Sequence, residues 1–167
     1  MIILGINAHH ADASAAIVVD GKLVAAVEEE RFRRIKHWAG FPSASIRYCL
    51  EAAGVALDDV DHIAVNRDPN ARLWQRAKFI LARRPSLGAI RRRLANRSQI
   101  GSLESDFREA FHIESLKPKL HHVEHHRAHL GSSFFVAPFD EAAILSVDGF
   151  GDFVSSMWGW GAVRAST

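Results

Sequence analysis

The 167-residue sequence has one cysteine and no long apolar run. Because Cys49 is alone, no disulfide can form within the chain, and it is interpreted as a small core residue. No apolar run approaches the roughly 18 residues that a membrane-spanning helix needs. The N-terminal segment lacks a basic start, and His9, His10 and Asp12 interrupt its apolar residues, which argues against a signal peptide. These absences predict a cytoplasmic chain without a membrane anchor.

Acidic residues are scarce in one region only. Between Arg67 and Arg97 there are ten basic residues and one acid, which leaves 11 basic and 18 acidic residues elsewhere. Such a block predicts a basic helical insertion at about 68–116 with its own surface role. Aromatic residues that could stack on bases are few there, with only Trp74 and Phe79. This shortage disfavours nucleic acid as the partner. A docking face is favoured because the apolar residues of the predicted helices need burial and arginine stems can pack beside them, as at Leu73, Phe79, Ile80 and Leu81.

Hydrophobic residues make up 48% of the chain and charged residues 24%, as in a globular domain that buries a core. Alternation and turn signals predict strands at 2–6, 14–19 and 22–28, with the second and third joined by an Asp-Gly turn. A helix is predicted after Pro42, with Ser43 as its cap and Gly54 as its end.

The rest of the chain repeats part of this plan. We predict strands at 62–66, 119–123, 141–147 and 153–160, and helices at 105–111 and 125–135. The first three strands should form an antiparallel meander, with 62–66 and 119–123 added in parallel fashion.

A strand, an acidic loop and a returning strand occur at Asp12 and again at Asp148. This repetition is typical of the duplicated actin-like and sugar-kinase-like ATPases. It predicts an α/β fold of the actin-like, ribonuclease H-like (ASKHA) type. Residues 1–140 would form the first subdomain, and 141–167 the incomplete start of the second.

Histidines four residues apart provide the first candidate site. His125 and His129 share one face if the segment is helical, so both imidazoles can bind one Zn or Fe ion. Surface or capping histidines are the alternative. The overlapping segment 121–125 also fits the H-x-x-E-H metalloprotease pattern, which requires a helix. Pro118 and the apolar alternation before the motif predict a strand instead, which argues against a protease.

Three loops carry the other candidates. In the segment 148–152, Asp148, Gly149 and Gly151 suit a phosphate with its cation, although Gly and Asp also favour a simple hairpin turn. Asp12 could contact a metal beside a phosphate or cap its own loop. The charged run 28–37 is typical of a solvated loop, but its basic groups, Lys36 among them, could face phosphate.

The order of these blocks resembles the carbamoyltransferase family that includes nodulation-factor, aminoglycoside and cephalosporin O-carbamoyltransferases. The resemblance rests on the segments 5–7, 12–16, 20–21, 28–32, 36–37, 40–42, 123–129, 132–135, 138–139 and 147–152. It covers nearly the whole chain apart from roughly 68–116.

The resemblance implies an actin-like domain that transfers a carbamoyl group to a hydroxyl of a small molecule or glycan. A carboxy-terminal domain of the YrdC type would supply carbamoyl-adenylate from ATP and carbamoyl phosphate. It also implies a divalent metal (Fe, Zn or Mg/Mn) held by His125, His129 and an aspartate beyond Thr167. Asp12 and His10 are the candidate acid–base residues. Many relatives have His directly before this Asp, whereas here Ala11 intervenes.

Two other functions fit parts of the pattern. The tRNA threonylcarbamoyl-transferring enzymes resemble this family in domain and H-x-x-x-H motif, and the basic segment would suit RNA. The Glu-Glu-Glu-Arg-Phe and Asp-Gly-Phe-Gly-Asp blocks favour the O-carbamoyltransferases. A non-catalytic nucleotide-binding fragment is the second alternative. We expect the 167 residues to be inactive alone and to bind metal weakly.

Overall fold

The computed structural model describes residues 1–68, 103–151 and 154–163, together with the single positions 71, 74 and 78. The described chain forms two compact units, one mainly of residues 1–65 and 103–121, the other mainly of residues 66–68 and 122–163. The helices predicted for the basic insertion fall largely on residues outside the described ones. The predicted boundary at residue 140 concerns the subdomains of a duplicated fold, and it stays a prediction.

A five-stranded sheet organises the first unit. Its strands are β1 (Ile2–Asn7), β2 (Ser14–Val19), β3 (Lys22–Glu28), β4 (His62–Val65) and β5 (Lys119–His122), in the order β3-β2-β1-β4-β5. The first three strands form the predicted antiparallel meander, and β4 runs parallel to β1. Asp20 and Gly21 both have positive φ, as the predicted two-residue turn requires. The predicted α/β fold class is confirmed.

Two helices bury apolar side chains in the core of this unit. They are α2 (Ser43–Ala53) and α3 (Leu103–Phe111), while the short α1 (Glu30–Arg33) was not predicted. The core joins alternate residues of the strands, such as Leu4 and Ile63, to Ile46 and Cys49 of α2 and to Phe107 of α3. Burying one such large apolar side chain stabilises a fold by roughly 1.5–3 kcal/mol.

The start of α2 differs from the prediction. Ser43 is the first helical residue and not the N-cap. The N-cap position is occupied by Pro42, which makes no side-chain cap hydrogen bond. The buried carboxylate of Glu29 accepts hydrogen bonds from the N–H groups of Ala44 (3.2 Å) and Ser45 (2.8 Å) instead. A distant side chain therefore satisfies the first turn. At the other end, Gly54 has φ 66° and ends the helix as predicted.

The second unit packs one helix on a two-stranded ribbon. The helix is α4 (His125–Phe134), and the antiparallel strands are β6 (Glu141–Gly151) and β7 (Val154–Ala162). The predicted loop beginning at Asp148 is wrong in its bounds, because β6 continues to Gly151. Pairing is irregular after Val147 and resumes where Gly151 meets Val154. Gly and Asp favour a turn locally, but pairing with the partner strand extends β6.

The bounds of the other predicted strands and helices lie within one or two residues of those in the structure. A 3-10 turn at Leu57–Asp59 was not predicted. Among the described residues, no helix is both long enough and apolar enough to cross a membrane.

Candidate metal centre

Glu124 determines where α4 begins. Its side-chain carboxylate accepts a hydrogen bond from the N–H of Arg127 at 2.9 Å, which satisfies one of the helix's free donors. With the helix starting at His125, that residue and His129 lie one turn apart on the same face. His121 and Glu124 do not share a helix, since the first lies in β5 and the second precedes α4. This agrees with the argument against a metalloprotease.

Three potential ligand atoms converge in the second unit. His125 Nε2 lies 2.7 Å from Asp148 Oδ2, and His129 Nε2 lies 3.6 Å from the same oxygen. The two Nε2 atoms are 3.1 Å apart, and all three ligand atoms lie within 4.8 Å of one another. The two histidines therefore share one face and turn toward Asp148, as expected. The third donor of this cluster is Asp148, which the sequence analysis assigns to phosphate binding. The aspartate ligand implied by the family resemblance is a different residue, beyond Thr167.

The carboxylate of Asp148 is held in its charged form. A hydrogen bond from His125 lowers the pKa of Asp148 to about 2, with a further contribution from the N–H of Gly149 at 2.5 Å. The His125 side chain is 16% exposed, whereas His129 and Asp148 are 48% and 42% exposed. One side of the cluster is therefore sheltered and the other is open to an incoming group.

This donor set fits a divalent metal ion. Two imidazoles and one carboxylate are the ligands of catalytic zinc sites and of non-haem iron sites that keep positions open for substrate. A Cβ atom added at Gly149 would meet nothing within 4 Å, so the space beside Asp148 is open. Imidazole nitrogen suits Zn or Fe better than Mg or Mn, which prefer oxygen ligands.

The loop after β1 holds the other acid–base candidates. Asp12 Oδ1 lies 2.8 Å from Nδ1 of His37, a residue that sequence reasoning did not single out. The N–H of Ala13 donates to the carbonyl of Trp38 at 3.0 Å, which ties the two loops together. The structure thus pairs Asp12 with His37, and His10 lies exposed in the same loop.

The remaining predicted residues are spread over both units. Lys36 is exposed in the first unit, and Gly149 and Gly151 lie within β6 of the second. His9, which precedes the candidate His10, has its Nε2 atom 2.7 Å from Oδ2 of Asp106 in α3. A signal for His37 was present in the sequence, because Lys36-His37 belongs to one of the blocks that carry the family resemblance.

The architecture and the donor set define an α/β chain with a candidate metal centre. Residues 2–162 match the family described as Carbamoyltransferase N-terminus, and the chain belongs to that family.

Two curated relatives and one solved structure are similar to this chain. The nodulation protein NolNO of Sinorhizobium fredii (strain NBRC 101917 / NGR234) is 36% identical over 87% of this chain and 20% of its own length. The uncharacterized protein sll1178 of Synechocystis sp. is 38% identical over 93% of this chain and 27% of its own. The chain therefore spans 20–27% of the length of these two relatives. The solved structure of YeaZ from Pseudomonas aeruginosa is 17% identical, with a TM-score of 0.41 over 98% of this chain and 61% of that one.

Proposed function

We propose that the protein transfers a carbamoyl group from carbamoyl-adenylate to a hydroxyl of a small molecule or glycan. The observation that carries this proposal is the convergence of His125, His129 and Asp148 in a chain of the carbamoyltransferase N-terminus family. Family membership supports carbamoyl transfer in general, and the donor and acceptor are the proposed part. The donor would be formed from ATP and carbamoyl phosphate by a domain of the YrdC type, which would be the partner of this one.

His125, His129 and Asp148 would hold a divalent cation. When bound, the cation would stabilise negative charge on the phosphate oxygens of the leaving nucleotide. The short hydrogen bond between His125 and Asp148 points both ligand atoms into one space. Because the pKa of Asp148 is about 2, its carboxylate is available at all physiological pH values.

Asp12 and His37 would form the base that activates the acceptor. A carboxylate on Nδ1 of an imidazole holds the proton there and leaves Nε2 as the acceptor. The hydroxyl proton would move to Nε2 of His37 as the hydroxyl oxygen bonds to the carbamoyl carbon. The bond from that carbon to the phosphate oxygen breaks, and its electron pair leaves with the nucleotide. His10 is the alternative base in this loop, and Lys36 a proposed phosphate contact.

Metal titration of the chain tests the donor set directly. A His125→Ala, His129→Ala double variant should lose at least 100-fold in Zn²⁺ or Co²⁺ affinity, because one carboxylate is left of three ligands. The His112→Asn variant is the matched control, since it removes an exposed histidine outside the cluster and Asn tolerates its positive φ. Binding that is equal in the double variant and in this control would contradict the metal assignment.

An activity assay tests the reaction. The intact protein, supplied with ATP, labelled carbamoyl phosphate and a panel of hydroxylated acceptors, should form a labelled carbamate. Asp12→Asn should lower kcat by about 10²–10⁴-fold, the usual contribution of a positioned base. Transfer at the wild-type rate by this variant would contradict the role of Asp12. Failure of the wild type on every acceptor, with carbamoyl-adenylate shown to form, would contradict the proposed acceptor class.

A further inference from the structure

A third histidine lies between the two candidate ligands and points the other way. His126 is fully buried, and both of its ring nitrogens have partners in the ribbon. Nδ1 lies 2.8 Å from Oγ of Ser146 in β6, and Nε2 lies 3.0 Å from the carbonyl oxygen of Val154 in β7. A carbonyl can only accept, so Nε2 carries the proton and donates it to Val154. In the neutral ring Nδ1 then accepts from the hydroxyl of Ser146.

These two bonds attach the first turn of α4 to both strands at the level of the metal cluster. His126 directly follows His125, and Ser146 stands two residues before Asp148, on the same strand. The rings of His125 and His126 lie 5.3 Å apart. Any shift of the helix along the ribbon would break a bond of His126 and would separate His125 from Asp148.

The far end of α4 is attached differently. Phe134 is buried there, and its ring lies so close to the ribbon that a Cβ atom added at Gly161 would be 2.7 Å from it. Of the described residues of α4, only His126 and Phe134 are buried. Apolar burial of Phe134 is non-directional, whereas the hydrogen bonds of His126 to two strands require a particular direction and distance.

We propose that His126 is a positioning residue: it holds α4 in register with β6, so that His125 and His129 meet Asp148. This inference rests on the proposed metal function of that cluster. It assigns to the middle histidine of the motif a role distinct from that of the two ligands. The buried imidazole, satisfied on both sides by the ribbon, is the feature that carries it.

Substitutions can separate the volume of His126 from its hydrogen bonds. His126→Phe fills the space and removes both bonds, while His126→Gln keeps an N–H donor for Val154. Ser146→Ala removes one bond and leaves the imidazole in place. Phe134→Leu is the matched control, because it weakens the packing of the same helix without touching the polar bonds.

The measurement is Co²⁺ affinity with the visible spectrum of the bound ion. We expect His126→Phe to weaken Co²⁺ binding by about 10–100-fold and to alter the spectrum, as loss of a supporting contact does at metal sites. Ser146→Ala should fall between that variant and the wild type, and His126→Gln should recover part of the loss. Phe134→Leu should bind Co²⁺ within about threefold of the wild type, with an unchanged spectrum.

Two results would overturn the inference. One is Co²⁺ binding by folded His126→Phe and by Ser146→Ala within about threefold of the wild type. The other is an equal loss of affinity in Phe134→Leu. If the wild type binds no Co²⁺, the proposed metal function fails by itself. A crystal structure of His126→Phe then decides about positioning: a His125–Asp148 contact kept at 2.7 Å would refute it, and a lost contact would support it.

Discussion

The two compact units differ in what holds them together. Of the buried apolar residues in the described chain, all but one belong to the first unit, where sheet and helices form one core. In the second unit Phe134 is buried, while Val147, Trp158 and Trp160 of the ribbon are 73%, 80% and 66% exposed. A two-stranded ribbon is marginal by itself. The candidate metal cluster of His125, His129 and Asp148 therefore lies in the second unit, which depends more on hydrogen bonds and less on apolar burial than the first unit does.

The largest expected effect tests the core of the first unit. Phe107 is fully buried and meets the ring of Phe41 edge-on, with centroids 4.9 Å apart. Phe107→Ala should lower the free energy of unfolding by about 3–5 kcal/mol, because it removes apolar burial and leaves a cavity. Phe135→Ala, at a position that is 81% exposed in the second unit, should change it by no more than about 0.5 kcal/mol. Urea unfolding with equal losses in both variants would remove the contrast between the units.

A smaller effect tests the buried carboxylate under α2. Glu29→Ala should cost about 2–4 kcal/mol, since the N–H groups of Ala44 and Ser45 lose their acceptor and Arg33 loses its partner. Glu51→Ala, on the exposed side of the same helix, is the control and should change stability little. Urea titrations of both variants at neutral pH give the comparison, and similar midpoints would contradict the capping role of Glu29.

The same carboxylate should make stability depend on pH. Burial raises the pKa of Glu29, but hydrogen bonds from Ser45, Arg33 and Ala44 outweigh it and lower the pKa below its usual range. The unfolded chain then binds this proton at a higher pH than the folded one. The contribution of Glu29 is complete above the ordinary glutamate pKa and is lost as pH falls through the lowered value. In Glu29→Ala this part of the acid destabilisation should be absent.

The smallest expected effect concerns the exposed ribbon. Trp158→Ala should change the free energy of unfolding by no more than about 0.5 kcal/mol, because the side chain is 80% exposed. It should raise the concentration at which the chain begins to associate, since large exposed apolar groups promote association. Thermal unfolding and light scattering over a concentration series measure the two effects. A loss of stability above about 1 kcal/mol would show that the ribbon has its own buried core.

Much of the fold could be predicted because its signals are local. The strands at Ser14–Val19 and Lys22–Glu28, the Asp-Gly turn and the end of α2 at Gly54 have the expected bounds. Each depends on side-chain alternation or on a positive φ within a few residues. The spacing of His125 and His129 is local in the same way, because one helical turn brings them together.

Contacts between distant residues were predicted poorly. Nothing in the local pattern indicates that Glu29 caps a helix 15 residues later, or that Asp12 bonds His37. The loop at Asp148 was expected to bind phosphate, because Gly and Asp are common in such loops. In the structure β6 extends through this segment to Gly151 with irregular pairing to β7, and the packing of α4 gave Asp148 two histidine neighbours.

The sequence by itself determined the order of the elements, the α/β class, the shared face of His125 and His129, and the family. Those properties follow from spacings of two to four residues and from the order of short blocks along the chain. Only the tertiary structure decided that Asp148 lies beside His125 and His129 and that His126 bonds Ser146. The hydrogen bonds of His125 and His126 join residues 20 or more positions apart, and such pairs are selected by how a helix packs on a ribbon and not by the residues beside them.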